Sequence, residues 1–172
     1  MKQETMEYYI KTYGTDIYSF CMFLTKNRQD ADDLYQDTFL SALEKGEIHE
    51  DENPKSYLIS IAVNLWRNRR RKFLWRKKKV DFVDSFEETD FEQIADESVP
   101  ADMKLIREEE ALEIRRQVAM LPEKMRLVIL MHYMEELSVE EIAAILHVPE
   151  GTVKSRLYHA RARLKENMEG VV

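Results

Sequence analysis

The residues with the greatest capacity for chemistry cluster between Gly151 and Lys165. Lys154, Arg156, Arg161, Arg163 and Lys165 occur there without one acidic residue, interleaved with Thr152, Ser155, Tyr158 and His159. That chemistry is charge and hydrogen bonding rather than bond making. Cations neutralise phosphates, while short polar and ring side chains reach base edges. On a helical wheel of about 100° per residue, Val153, Leu157, Ala160 and Leu164 fall within roughly 60° of one another and form the buried side. Ser155, Tyr158, His159 and Ala162 point directly away. Lys154, Arg161 and Lys165 line one flank of that outward strip, and Arg156 and Arg163 the other. A helix seated in a major groove needs this layout, with base-reading groups at the tip and cations toward both phosphate walls. An ordinary surface helix with snorkelling cations is the competing explanation, but it would tolerate acids among them.

A second basic block lies at Leu65–Lys79, where Arg67, Arg69, Arg70, Arg71, Lys72, Arg76, Lys77, Lys78 and Lys79 surround Trp66, Phe73, Leu74 and Trp75. Rings among cations suit single-stranded or partly unpaired nucleic acid, because charge holds the backbone and bases stack on the rings at roughly 1–3 kcal/mol each. Trp66 fits a core position equally well. Ser60, Asn64, Arg67 or Asn68, and Arg71 share the face opposite the apolar stripe of this segment. Catalysis finds no comparable support. His49, His132, His147 and His159 are dispersed, no glycine loop can cradle a phosphate, and no metal-ligand spacing occurs. The expectation is a binding protein with no cofactor and no metal, not an enzyme.

The elements that must position these residues are helices. In 172 residues there are only 4 Gly and 4 Pro, too little turn chemistry for a sheet protein. Apolar positions Met6, Tyr9, Ile10, Tyr13, Ile17, Phe20, Cys21 and Leu24 recur at three- and four-residue spacing and predict a first helix. Asp30 is the expected N-cap of a second, with Ala31, Leu34, Tyr35, Thr38, Phe39 and Ala42 inward. Asn53 as N-cap and Pro54 at the first helical position start a third, with Leu58, Ile61, Ala62 and Leu65 as its core stripe. Periodicity resumes over Leu105–Ala119, and Leu121-Pro122-Glu123 breaks that helix and opens the next, with Leu127, Leu130, Met131 and Met134 on one side. Ser138-Val139-Glu140-Glu141 is a capping box. Ile142, Ala143, Ile145 and Leu146 then give a short helix that ends at His147-Val148-Pro149, and Gly151-Thr152 opens the basic one. Two short helices joined by a tight turn form a helix-turn-helix.

Between the two halves, Asp81–Asp102 holds Asp81, Asp84, Glu87, Glu88, Asp90, Glu92, Asp96, Glu97 and Asp102 with no cation. The fold class expected is therefore all-α: two small helical domains joined by a flexible acidic linker, the C-terminal one a helix-turn-helix. The boundaries are 1–79, 80–103 and 104–172. A formal net charge of −7 argues against nucleic acid when taken alone, but the segregation of charge gives each block its own partner. The single cysteine, Cys21, excludes an internal disulfide and sits on the apolar stripe. With no apolar run approaching the roughly 20 residues of a membrane span and no signal-peptide segment, a soluble cytoplasmic protein is expected.

Asp33-Leu34-Tyr35-Gln36-Asp37-Thr38-Phe39, Tyr57-Leu58-Ile59-Ser60-Ile61-Ala62-Val63-Asn64, Leu121-Pro122-Glu123, Leu137-Ser138-Val139-Glu140-Glu141-Ile142-Ala143 and Gly151-Thr152-Val153-Lys154-Ser155-Arg156 follow in this order. The ordered set resembles bacterial sigma factors of the extracytoplasmic-function group, from about Tyr8 to about Glu166. The resemblance implies a protein that binds core RNA polymerase and directs it to promoter DNA. It assigns Thr152, Lys154, Ser155, Tyr158 and His159 to the duplex upstream element, with Arg156, Arg161 and Arg163 on phosphates. It assigns Ser60, Asn64, Arg67, Asn68 and Arg71 to the melted element, with Asn64 recognising an extruded base in a pocket formed by the loop Glu47–Asn53. Asp33, Gln36, Asp37 and Leu40 would dock on the polymerase largest subunit, or be merely solvated. The acidic linker would thread the polymerase interior or serve as a tether. An anti-sigma factor is an expected further partner. The alternative is a helix-turn-helix regulator that binds DNA without polymerase.

Overall fold

The structure is a computed structural model of the chain and describes residues 3–46, 53–77 and 101–169, with side chains in the last segment from Glu109 onward. Among the described residues every regular element is helical, and the chain divides into two compact units, Met1–Glu87 and Glu88–Val172.

The first unit packs α1 (Gln3–Thr25), α2 (Arg28–Lys45) and α3 (Pro54–Lys77) against one another. Ile17, Phe20, Cys21, Leu24, Leu34, Ala42, Leu58 and Ala62 are all fully or almost fully buried at the shared centre. Each large side chain among them contributes on the order of 1.5–3 kcal/mol by leaving water. The α1 stripe holds except at its start, where Ile10 is exposed. In α3 the buried surface is wider than the sequence stripe: Ile59 and Val63 are sealed, while Leu65 is only half-buried.

Asn27, not Asp30, caps α2. Asn27 has an extended backbone, and its Oδ1 accepts the amide N–H of Asp30 at 3.1 Å. The helix thus opens three residues early, and Asp30 becomes an acid in the first turn, where the helix dipole favours it. At the far end Gly46 has φ 91°, a region that disfavours any side chain. Asn53 caps α3 as expected, accepting from the Lys55 amide at 3.0 Å. Lys55 in turn bridges to Asp16 of α1 at 3.3 Å.

The second unit contains α4 (Ala101–Met120), α5 (Glu123–Ile129), a π-helical turn (Leu130–Met134), α6 (Val139–Leu146) and α7 (Glu150–Glu169). α4 begins three residues before the expected end of the linker, so residues 101–103 are helical; residues 78–100 lie outside the described residues. Helix α7 packs on α4, α5 and α6, burying Val153, Leu157 and Ala160. Leu164, the fourth residue of its predicted inner side, is half-buried. The capping box of α6 is complete, with Glu141 N–H donating to Ser138 Oγ at 3.0 Å and Ser138 N–H to Glu141 Oε2 at 3.2 Å.

The turn into α7 depends on His147, which adopts the left-handed conformation (φ 56°, ψ 47°). The Val148 amide then reaches back to the Ala143 carbonyl at 3.1 Å, closing the end of α6. Pro149 accepts from the Thr152 and Val153 amides at 3.0 and 3.4 Å and starts the next helix. Two helices are thereby joined by about a turn's worth of chain, as a helix-turn-helix requires.

Candidate nucleic-acid interface

Helix α7 extends slightly beyond its predicted span, with Glu150 in its first turn and Glu166 and Glu169 in its last turns, but Gly151–Lys165 remains free of acids. Lys154, Ser155, Tyr158, His159, Arg161, Ala162, Arg163 and Lys165 are exposed, whereas Thr152 and Arg156 are half-buried. Tyr158 is 68% exposed, a large ring left in water while Val153, Leu157 and Ala160 are covered. Its ring meets His159 edge-on, with centroids 5.4 Å apart. The helix therefore presents a polar tip of Ser155, Tyr158 and His159 between cationic flanks. Arg161 has a partner that the wheel does not show: its Nε donates to the Tyr133 hydroxyl, and its guanidinium lies 5.3 Å from the Tyr133 ring centroid.

Gly151 has no internal steric reason to be glycine. A Cβ there would meet nothing within 4 Å, and the residue lies within the helix. An open backbone at the start of a helix lets a phosphate come close to amide donors.

On α3, Asn64, Asn68, Arg71, Lys72 and Trp75 are exposed and recur at spacings of three and four, so they form one stripe along the helix. Ser60 is half-buried and its hydroxyl donates to the Tyr57 carbonyl at 2.7 Å, which turns it toward its own helix. Arg67 is half-buried, and Arg71 donates to the Asn68 side-chain carbonyl at 2.6 Å. Trp66 is half-buried, whereas Trp75 is 63% exposed, and the Arg70 guanidinium sits 5.1 Å from the Phe73 centroid. Trp75 is thus the more exposed of the two tryptophans. The loop expected to form a base pocket falls at residues 47–52, outside the described residues, as do Lys78 and Lys79.

On α2, Asp33, Gln36, Asp37 and Leu40 are all exposed on one face, and Leu40 is 56% exposed. Leu43, exposed one turn further on, extends this apolar edge and carried no distinguishing sequence signal. Asp37 pairs with Arg69 of α3, a tertiary contact that sequence spacing does not disclose. Among the described residues no group of acids, histidines or cysteine is placed to hold a metal ion.

Comparison with known proteins agrees with both units. Residues 9–76 match Sigma-70 region 2, and residues 111–164 match Sigma-70, region 4. An ECF RNA polymerase sigma factor of Bacillus subtilis, SigW, is 32% identical over 92% of this chain and 86% of its own length. The chain belongs to the ECF RNA polymerase sigma factors. A second relative of the same group and organism, SigM, is 29% identical over 94% of this chain and 93% of its own length. Among solved structures, the sigma factor RpoE in complex with the anti-sigma factor NepR from Bartonella quintana superposes with a TM-score of 0.75 at 23% identity, covering 98% of each chain. CnrH in complex with the cytosolic domain of CnrY gives 0.65 at 19% identity, over 98% of this chain and 90% of that one. These two likenesses bear on the fold.

As a sigma factor, the protein binds core RNA polymerase and promoter DNA and directs transcription initiation. The region 2 match accounts for the N-terminal unit, which a regulator acting without polymerase does not need. Among the described residues no helix is long and apolar enough to cross a membrane.

Proposed function

We propose that this sigma factor divides promoter reading between its two units. Helix α7 enters the major groove of the upstream element, where Ser155, Tyr158 and His159 address bases, Thr152 and Lys154 sit at the entry, and Arg156, Arg161 and Arg163 hold phosphates. The stripe on α3, with Ser60, Asn64, Arg67, Asn68 and Arg71, engages the melted element. The α2 face of Asp33, Gln36, Asp37 and Leu40 docks on core polymerase. The observation that carries the upstream assignment is the acid-free exposed strip of α7, with its apolar side buried on the rest of the unit. Residues 1–79 and 104–172 then act as the two working domains, with 80–103 as the connecting segment.

The protein works by binding and positioning, without catalytic chemistry of its own, and operates in the cytoplasm with the polymerase. An anti-sigma factor is a further partner, since a structural likeness is to a sigma factor held by one. Transcription from a randomised promoter pool with purified host core polymerase tests the division. Adding the protein should enrich templates with two constrained elements, and enrichment of none, or of one element alone, would refute it.

A further inference from the structure

The contact between Arg161 and Tyr133 joins the DNA-facing helix to an element outside the helix-turn-helix. Tyr133 belongs to the π-helical turn Leu130–Met134, in which Leu130 and Met131 are buried while Tyr133 is 56% exposed. The wider turn is closed by the Glu135 amide on the Leu130 carbonyl at 3.2 Å. His132 Nδ1–H donates to the Leu137 carbonyl at 2.8 Å, and the His132 ring stands edge-on to Tyr133 with centroids 4.9 Å apart. Tyr133 therefore contacts both the His132 ring and the Arg161 guanidinium. Single π turns of this kind recur at functional sites.

An exposed arginine ordinarily samples many rotamers, and ordering it on a phosphate costs side-chain entropy. Here the Tyr133 oxygen accepts the Nε–H and the guanidinium carbon lies 5.3 Å from the ring centroid, so one tyrosine holds the arginine at two points. Nε is thereby committed, and the two Nη groups are the donors that remain for a phosphate. We propose that Tyr133 is a positioning residue that holds Arg161 in advance for a backbone phosphate of the upstream promoter element. This rests on the assignment of α7 to that element. Ordering before binding raises affinity without adding a contact to DNA.

The test uses the full chain in holoenzyme with host core polymerase and a promoter duplex selected by the wild-type protein, measuring affinity across a salt series. Arg161→Ala should lower affinity about tenfold and reduce the slope of log K against log salt by about one phosphate contact. Tyr133→Ala should lower affinity about fivefold, and Tyr133→Phe, which keeps the ring, about two- to threefold. In the Arg161→Ala background neither tyrosine substitution should cost anything further, because its effect passes through Arg161. Thermal unfolding of each variant shows whether the unit is intact, and Tyr133→Phe, which alters one atom, covers the case of Tyr133→Ala failing to fold. Unchanged affinity in both tyrosine variants would overturn the proposal, as would a further loss on top of Arg161→Ala, which would make Tyr133 a phosphate ligand itself. Wild-type holoenzyme that leaves the upstream element unprotected in a footprint would overturn the assignment of α7 and the proposal with it.

Discussion

Ser155 and Arg163 both project from the exposed side of α7, and the proposed reading gives them different work because of the direction in which each projects. Ser155 shares the tip with Tyr158 and His159, where, on the proposed reading, a hydrogen-bonding side chain would meet base edges, while Arg156 and Arg163 lie on a flank that would meet phosphate. Arg156→Ala or Arg163→Ala should therefore weaken use of all promoters by a similar factor and lower the salt slope by about one each. Ser155→Ala or His159→Ala should instead change which bases are preferred, at about 1–3 kcal/mol per affected contact. Transcription from a panel of promoter variants separates the two classes; equal losses from both sets would contradict the assignment. A second prediction at this scale concerns Tyr18 and Tyr35. Burial first, then the hydrogen bond to Asp32 at 2.7 Å, raises Tyr18 above the usual tyrosine range, and burial raises Tyr35. A raised acid keeps its proton longer in the folded than in the unfolded chain. Its stabilising contribution is complete below the unfolded value of about 10 and is lost as pH rises from there through the folded value. Urea midpoints between pH 9 and 11.5 should fall, and Tyr35→Phe should flatten that decline.

Helix boundaries show how far local chemistry can be read from sequence. Ser138–Glu141 was legible because both halves of a capping box lie within four residues and need nothing from elsewhere. The inner side of α7 was legible because a helix buries what its period aligns. Sequence alone does not favour Asn27 over Asp30, because both are good caps and the Arg28-Gln29 pair between them has no apolar signal. The π turn at Leu130–Met134 was illegible, since its extra residue per turn leaves no mark in an apolar run that suits an α-helix equally well. Asp37–Arg69 and Tyr133–Arg161 were illegible for another reason: each joins helices about 30 residues apart, and only packing decides which exposed side chains meet. Two substitutions test the local readings. Ser138→Ala should cost about 1 kcal/mol of stability through loss of the cap. Gly151→Ala, placed in helix with open space around its Cβ, should instead gain about 0.4–1 kcal/mol. Thermal melts report both signs, and promoter affinity should fall in Gly151→Ala despite the firmer fold if the bare backbone there serves a phosphate.

At the scale of the whole molecule, the net charge of −7 describes the chain poorly, because a duplex responds to the field near its own surface. With the Debye length at about 8 Å in physiological salt, acids in residues 81–102 weigh little on a phosphate against α7 unless they lie within that distance. What matters is that each basic helix belongs to its own unit. The two units should then be separable in specificity as they are in sequence. Asn64→Ala should alter base preference only within the melted element, and Ser155→Ala only within the upstream element. The double variant should show both changes side by side, each of the same size as in the single variants. Sequencing transcripts from a pool randomised across both elements and the spacer measures all three outcomes at once. A shift in the upstream element caused by Asn64→Ala would show that the units read the promoter as one body, because a change confined to α3 would then have moved α7 on its site.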